Sequence, residues 1–109
     1  MTNSCRKGKA GEREAAHELA RVLGIDARRG QQFAGSPESP DVVTSLSGVH
    51  WEVKRVERLQ IVKALEQAIA DAGQDVPAVL HRPNGVAWMV TVRLDDLPRL
   101  ARCITWGFA

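Results

Sequence analysis

From Val49 to Lys54 the chain alternates apolar and polar residues: Val49, Trp51 and Val53 against His50, Glu52 and Lys54. A period of two predicts a strand with its side chains on opposite faces. Glu52 and Lys54 then stand side by side on one face, with Trp51 and Val53 packed beneath them. The strand is read as running from Val49 to Val56, closed by Glu57-Arg58. Upstream, Val42-Val43 predicts a short buried strand, and Leu46-Ser47-Gly48 a turn joining the two into a hairpin. Asp41 falls at the head of that first strand.

Elsewhere the period changes. From Lys7 to Leu23, Ala15, Ala16, Leu19, Ala20 and Leu23 recur at helical spacing, and Gly24 stops the helix. Ile25 to Arg29 predicts a strand, extended by Gln31-Gln32-Phe33 past a bulge. Ala34-Gly35-Ser36-Pro37-Glu38-Ser39-Pro40 is a loop by composition, leading directly into Asp41. Leu59 to Ala72 predicts a second helix. Its apolar face is Ile61, Val62, Leu65, Ala68, Ile69 and Ala72, and its polar stripe is Gln60, Lys63, Gln67, Asp71 and Gln74. Pro77 to His81 reads as a strand and Arg82-Pro83-Asn84-Gly85 as a turn. Val86 to Val92, the most continuously apolar run, predicts a central or well-covered strand. Leu94 to Arg102 is a last helix, broken or begun by Pro98. The apolar tail from Ile104 to Phe108 is expected to pack on the core, with a dimer contact as the alternative. The order α-β-β-β-α-β-β-α over residues 1–109 predicts one domain, an α/β sandwich with a small mixed sheet.

Three acids in the first helix differ in placement. Glu12 projects near the N-terminal edge of the apolar stripe, three, four and seven residues before Ala15, Ala16 and Leu19. It is either a helix-dipole or Arg-paired carboxylate, or an acid aimed at a shared site. Glu14 and Glu18 lie off the stripe near Arg21 and read as solvent-facing charges.

Composition narrows the function. The chain has 109 residues, 44% hydrophobic, with no Tyr and only five Trp or Phe. An extended aromatic platform for stacking single strands is excluded. The net charge of +2 conceals clusters: Arg6, Lys7, Lys9 and Arg13; Arg28 and Arg29; Lys54, Arg55 and Arg58. These suit a polyanionic partner, although a solvated basic surface is the commoner meaning of any one of them. Cys5 and Cys103 form no paired-cysteine motif and the three histidines are scattered, which argues against zinc. No apolar run reaches membrane-span length and the start is polar, so a reduced, cytoplasmic protein away from membranes is expected.

The candidate chemistry lies in the hairpin. Glu52 beside Lys54 is open to reading as an ion pair, and Asp41 after Pro40 as a turn residue. Together, two carboxylates and an ammonium on one strand pair also meet the needs of a divalent metal and a phosphodiester.

Pro40-Asp41 followed by Glu52-Val53-Lys54 resembles the PD-(D/E)xK nuclease signature. Arg6-Lys7-Gly8-Lys9-Ala10-Gly11-Glu12-Arg13-Glu14 is similar to the N-terminal helix of archaeal-type Holliday-junction resolvases and their phage-encoded relatives. The resemblance spans about residues 6 to 70. It implies a restriction-endonuclease-like α/β/α sandwich and a metal-dependent, structure-selective DNA endonuclease. It implies Asp41 and Glu52 as ligands of Mg²⁺ or Mn²⁺, joined by the Val53 carbonyl. Lys54 would position the attacking water and offset phosphate charge. Glu12 would complete the site, and Gln67 matches a polar residue on the following helix. Arg28 and Ser36 correspond to basic and hydroxyl residues near the loop.

DNA contacts are expected from Arg6, Lys7, Lys9, Arg13, Arg28, Arg29, Ser36, Arg55 and Arg58. One site cuts one strand, so a homodimer is expected for paired cuts, in the host cytoplasm if the chain is phage-encoded. So small a domain is expected to read DNA shape, such as a branch, rather than sequence. Two alternatives stay open: a nicking, flap or restriction-like nuclease, and a DNA-binding accessory module that does not cut.

Overall fold

The computed structural model describes residues 4–30 and 40–106, with side chains described between residues 8 and 105. The element order is α1 (Ser4–Leu23), β1 (Ala27–Arg29), β2 (Val42–Thr44), β3 (Val49–Lys54), α2 (Ile61–Ala72), β4 (Val76–His81), β5 (Met89–Thr91) and α3 (Leu97–Trp106), with a 3₁₀ turn at Leu94–Asp96 leading into α3. The predicted order of helices and strands is the observed one.

The strands form one mixed sheet in the order β1-β2-β3-β4-β5. The pairs are antiparallel except β3 and β4, which run parallel with Glu52 opposite Val79 and Lys54 opposite His81. A parallel pair needs a crossover, and α2 supplies it. Gly48, at φ 92°, turns the chain between β2 and β3.

Two cores separate the layers. On one face Val42, Val49, Trp51, Val53, Ala78 and Leu80 pack against Ala15, Ala16 and Leu19 of α1 and Leu100 of α3. On the other, Val79 packs against Ala64 and Ala68 of α2. The buried stripe of α2 is Ala64, Ala68 and Ala72. The expected apolar face was wider, but Val62 points into solvent at 66% exposure. Single methyl groups hold this helix close to the sheet, and the neighbouring polar positions come down with it.

Two further expectations are corrected. The apolar run from Val86 to Val92 is not a central strand. Only Met89–Thr91 pairs, at the sheet edge, with Val90 47% exposed. The run is apolar because Trp88 and Val90 line a groove with Ala15, Leu19 and Val22 of α1. Glu14 is not a plain surface charge. Arg82 Nε and Trp88 Nε1 both donate to its Oε1, at 2.6 and 3.0 Å. Glu18 pairs with Arg21 at 2.7 Å, as the helix pattern predicts. At the C-terminus, Cys103 and Ile104 pack on the core. The predicted extension at Gln31–Phe33 lies outside the described residues, as do most of the loop and the chain beyond Trp106.

Candidate active site

Strand alternation builds the site. Trp51 and Val53 enter the α1 core, so His50, Glu52 and Lys54 face α2. Glu52 is buried, at 4% exposure. Val42 enters the same core as Trp51, its register partner, so Asp41 alternates onto the α2 side with Glu52. Asp41 is fixed from several directions. Its amide donates to the Trp51 carbonyl at 2.9 Å, and its carbonyl accepts from Gly30 at 2.8 Å. Its Oδ2 accepts from the Val53 amide at 2.8 Å. The Val53 carbonyl lies on that same edge of β3.

The Asp41 and Glu52 carboxyls hydrogen-bond to each other. Burial raises the Asp41 pKa from 3.8 to about 7. The Val53 amide opposes the rise, whereas the Glu52 charge, the hydrogen bond to Glu52 and the Glu12 charge add to it.

Glycines bring the remaining acid close. A Cβ on Gly11 would lie 2.8 Å from Arg55 Cβ, so this position lets α1 cross the end of β3. Glu12 follows directly, within the electrostatic reach of Asp41, and it holds Arg29 Nε at 2.8 Å. Glu12 is thus the Arg-paired carboxylate of the sequence reading. A Cβ on Gly30 would collide with the Pro40 carbonyl oxygen, so glycine is needed where β1 passes the entry to Asp41.

On α2, Gln67 Oε1 accepts from Lys54 Nζ at 3.2 Å. One turn later Asp71 approaches His50 and Glu52, with one nitrogen or oxygen of each of the three within 4.8 Å of the others. His81 stands beside Lys54 in the β3–β4 register and meets Thr91 Oγ1 at 2.8 Å. Partial burial lowers its pKa, favouring the neutral ring. Sequence reasoning passed over His50, Asp71 and His81. The period-two pattern put His50 on the Glu52 face, but nothing local showed that α2 would cover it.

The basic residues divide into two groups. Lys9, Arg13, Arg28 and Arg58 are exposed, and Arg28 shares the sheet face of Asp41 and Glu52. Arg29 and Arg55 are engaged within the protein. Arg55 donates to Asn84 Oδ1 at 2.6 Å and pairs with Glu57 at 3.5 Å and Glu14 at 3.9 Å. The side chains of Arg6 and Lys7, and all of Ser36, lie outside the described residues.

No protein-family model matches the chain, and no curated protein matches it. A solved structure does: Hjc, a Holliday junction resolvase from Archaeoglobus fulgidus, aligns with a TM-score of 0.56 and 24% identity. The alignment covers 76% of this chain and 74% of that one. The two chains share a fold. The mixed five-stranded sheet with helices on both faces is an α/β sandwich. Among the described residues no helix is long and apolar enough to cross a membrane.

Proposed function

We propose that the chain is a metal-dependent, structure-selective DNA endonuclease of the resolvase type, hydrolysing phosphodiester bonds. One observation carries this reading: two largely buried carboxyls, Asp41 and Glu52, touch on the sheet face that also bears Lys54. Like charges this close oppose ionisation in a protein interior. A divalent cation held between them would relieve that repulsion. The donors are all oxygen, the Asp41 and Glu52 carboxylates with the Val53 carbonyl, and they fit Mg²⁺ or Mn²⁺. Glu12 adds negative charge at the same end of the sheet.

When bound, such an ion lowers the pKa of water and neutralises charge on phosphate. The chain's own groups do the rest. Lys54 presents an ammonium where the attacked phosphate gains negative charge, and Gln67 holds its Nζ in place. Lys9, Arg13, Arg28 and Arg58 supply phosphate contacts, which orient a duplex without reading its bases. Recognition is therefore of DNA shape, a branched substrate above all. Two copies of the chain, each cutting one strand, make the paired cuts. The fold shared with a Holliday junction resolvase supports this reading.

The test is cleavage of labelled four-way junction, flap and linear duplex DNA with Mg²⁺, for the natural chain and Glu52→Gln. The proposal expects symmetric junction cuts that the variant loses by at least ~100-fold, with junction binding retained. Cuts on flap or linear DNA alone would reassign the substrate. Firm binding without cleavage in either Mg²⁺ or Mn²⁺ would leave a DNA-binding module. Sedimentation of a pure monomer that still makes coupled cuts would overturn the dimer.

A further inference from the structure

We propose that His50 and Asp71 are positioning residues that aim the Glu52 carboxylate at the cation, an inference that rests on the nuclease reading of Asp41 and Glu52. Chain direction sets the arrangement. α2 returns antiparallel to β3, so later helix residues meet earlier strand residues. Gln67 meets Lys54, and Asp71, one turn on, meets His50. The helix thus applies one polar side chain to each of two strand residues that flank Glu52.

The surroundings of Glu52 are asymmetric. On one side stands Asp41, its partner acid. On the other, His50 Nε2 lies 3.0 Å from Glu52 Oε1, and His50 is only 3% exposed. An ionised carboxylate only accepts, so the imidazole carries the hydrogen of this bond. Asp71 likewise offers only acceptors and stands within 4.8 Å of both. A second acceptor beside the ring favours N–H over a lone pair at the nitrogen the two acids share. The His50 bond holds Oε1 of Glu52 independently of Asp41. It fixes the orientation in which the carboxylate would meet a cation.

The test reads metal binding without DNA or turnover. Mn²⁺ affinity is measured by electron paramagnetic resonance for the natural chain, His50→Leu, His50→Gln, Asp71→Ala and Glu52→Gln. Circular dichroism confirms that each is folded. The His50 tautomer is read from long-range ¹H–¹⁵N spectra. The natural chain is expected to hold the hydrogen on Nε2. His50→Leu should bind Mn²⁺ about 10- to 100-fold more weakly. His50→Gln, which keeps an N–H, should recover part of that affinity. Asp71→Ala should weaken binding several-fold and disturb the tautomer. If His50→Leu does not fold, Asp71→Ala, on the half-exposed helix surface, carries the test.

Wild-type Mn²⁺ affinity in both His50→Leu and Asp71→Ala, with weakened binding in Glu52→Gln, would overturn this inference and leave the nuclease reading standing. Unchanged affinity in Glu52→Gln would instead remove the nuclease reading, and this inference with it. Direct ¹¹³Cd coupling to His50 in a cadmium-loaded sample would make His50 a ligand and overturn its positioning role.

Discussion

The amide of Val53 donates to the Asp41 carboxylate across 2.8 Å, linking the two halves of the site through the main chain of one and the side chain of the other. The bond orients Asp41 whatever its neighbour Glu52 is doing. It also lowers the Asp41 pKa, against the larger effect of burial.

That balance sets a pH dependence. The folded Asp41 carboxyl titrates at about 7 against an ordinary 3.8. In this window the folded chain binds the proton more tightly than the unfolded one, so stability falls as pH rises. Without divalent metal, the melting temperature should decline between pH 4 and pH 7 and level off above. Asp41→Asn should flatten this decline, and Mg²⁺ should restore stability above pH 7, with proton release on binding. Calorimetric scans across pH with and without Mg²⁺ check this. A profile identical in Asp41→Asn would rule it out.

Gln67 should matter through Lys54. Gln67→Leu removes the acceptor that holds the ammonium. We expect kcat on a cleavable junction to fall about tenfold with KM unchanged, less than the ~100-fold drop expected for Lys54→Met. Equal KM and kcat effects in Gln67→Leu would point to a general loosening of packing instead.

Gly30 has no room for a side chain against the Pro40 carbonyl. Gly30→Ala should cost about 1–3 kcal/mol of stability, the usual range for overpacking, and should weaken cleavage by displacing Asp41. Urea denaturation and cleavage on one preparation test both. An unaffected midpoint would show that the β1 end shifts freely.

The arginines should separate by role. Neutralising Lys9, Arg13, Arg28 or Arg58 should lower the salt slope of DNA affinity by about 0.9 for each phosphate that no longer meets a cationic side chain. Arg55→Gln should instead cost about 1–3 kcal/mol of stability, because Glu14, Glu57 and Asn84 are deprived of a partner. Fluorescence titrations at several salt concentrations, beside thermal melts, distinguish the two groups.

What could be read from sequence followed from local period. Glu52 and Lys54 on one face, Asp41 ahead of them and Gln67 on the polar stripe of α2 are each fixed by spacing along one element. What escaped depends on non-local packing. Val86–Val92 is as apolar as a central strand, yet its first residues continue from a turn and its last cover α1 from the sheet edge. Glu14 meets Arg82 and Trp88, 68 and 74 residues away. His50 looked like one more polar residue on an open face, because the alanine stripe that lowers α2 over it has no signature beyond small side chains.

The Gly30–Asp41 hydrogen bond has a consequence for how such a protein diversifies. It joins the two ends of the stretch from residue 31 to residue 39, so the entropy of closing that loop is met at its base. Lengthening the stretch adds little, because closure entropy grows only with the logarithm of loop length. The Val53 amide that holds the Asp41 carboxylate lies outside it. A segment of another length grafted between Gly30 and Pro40 should therefore leave Asp41 and Glu52 in register.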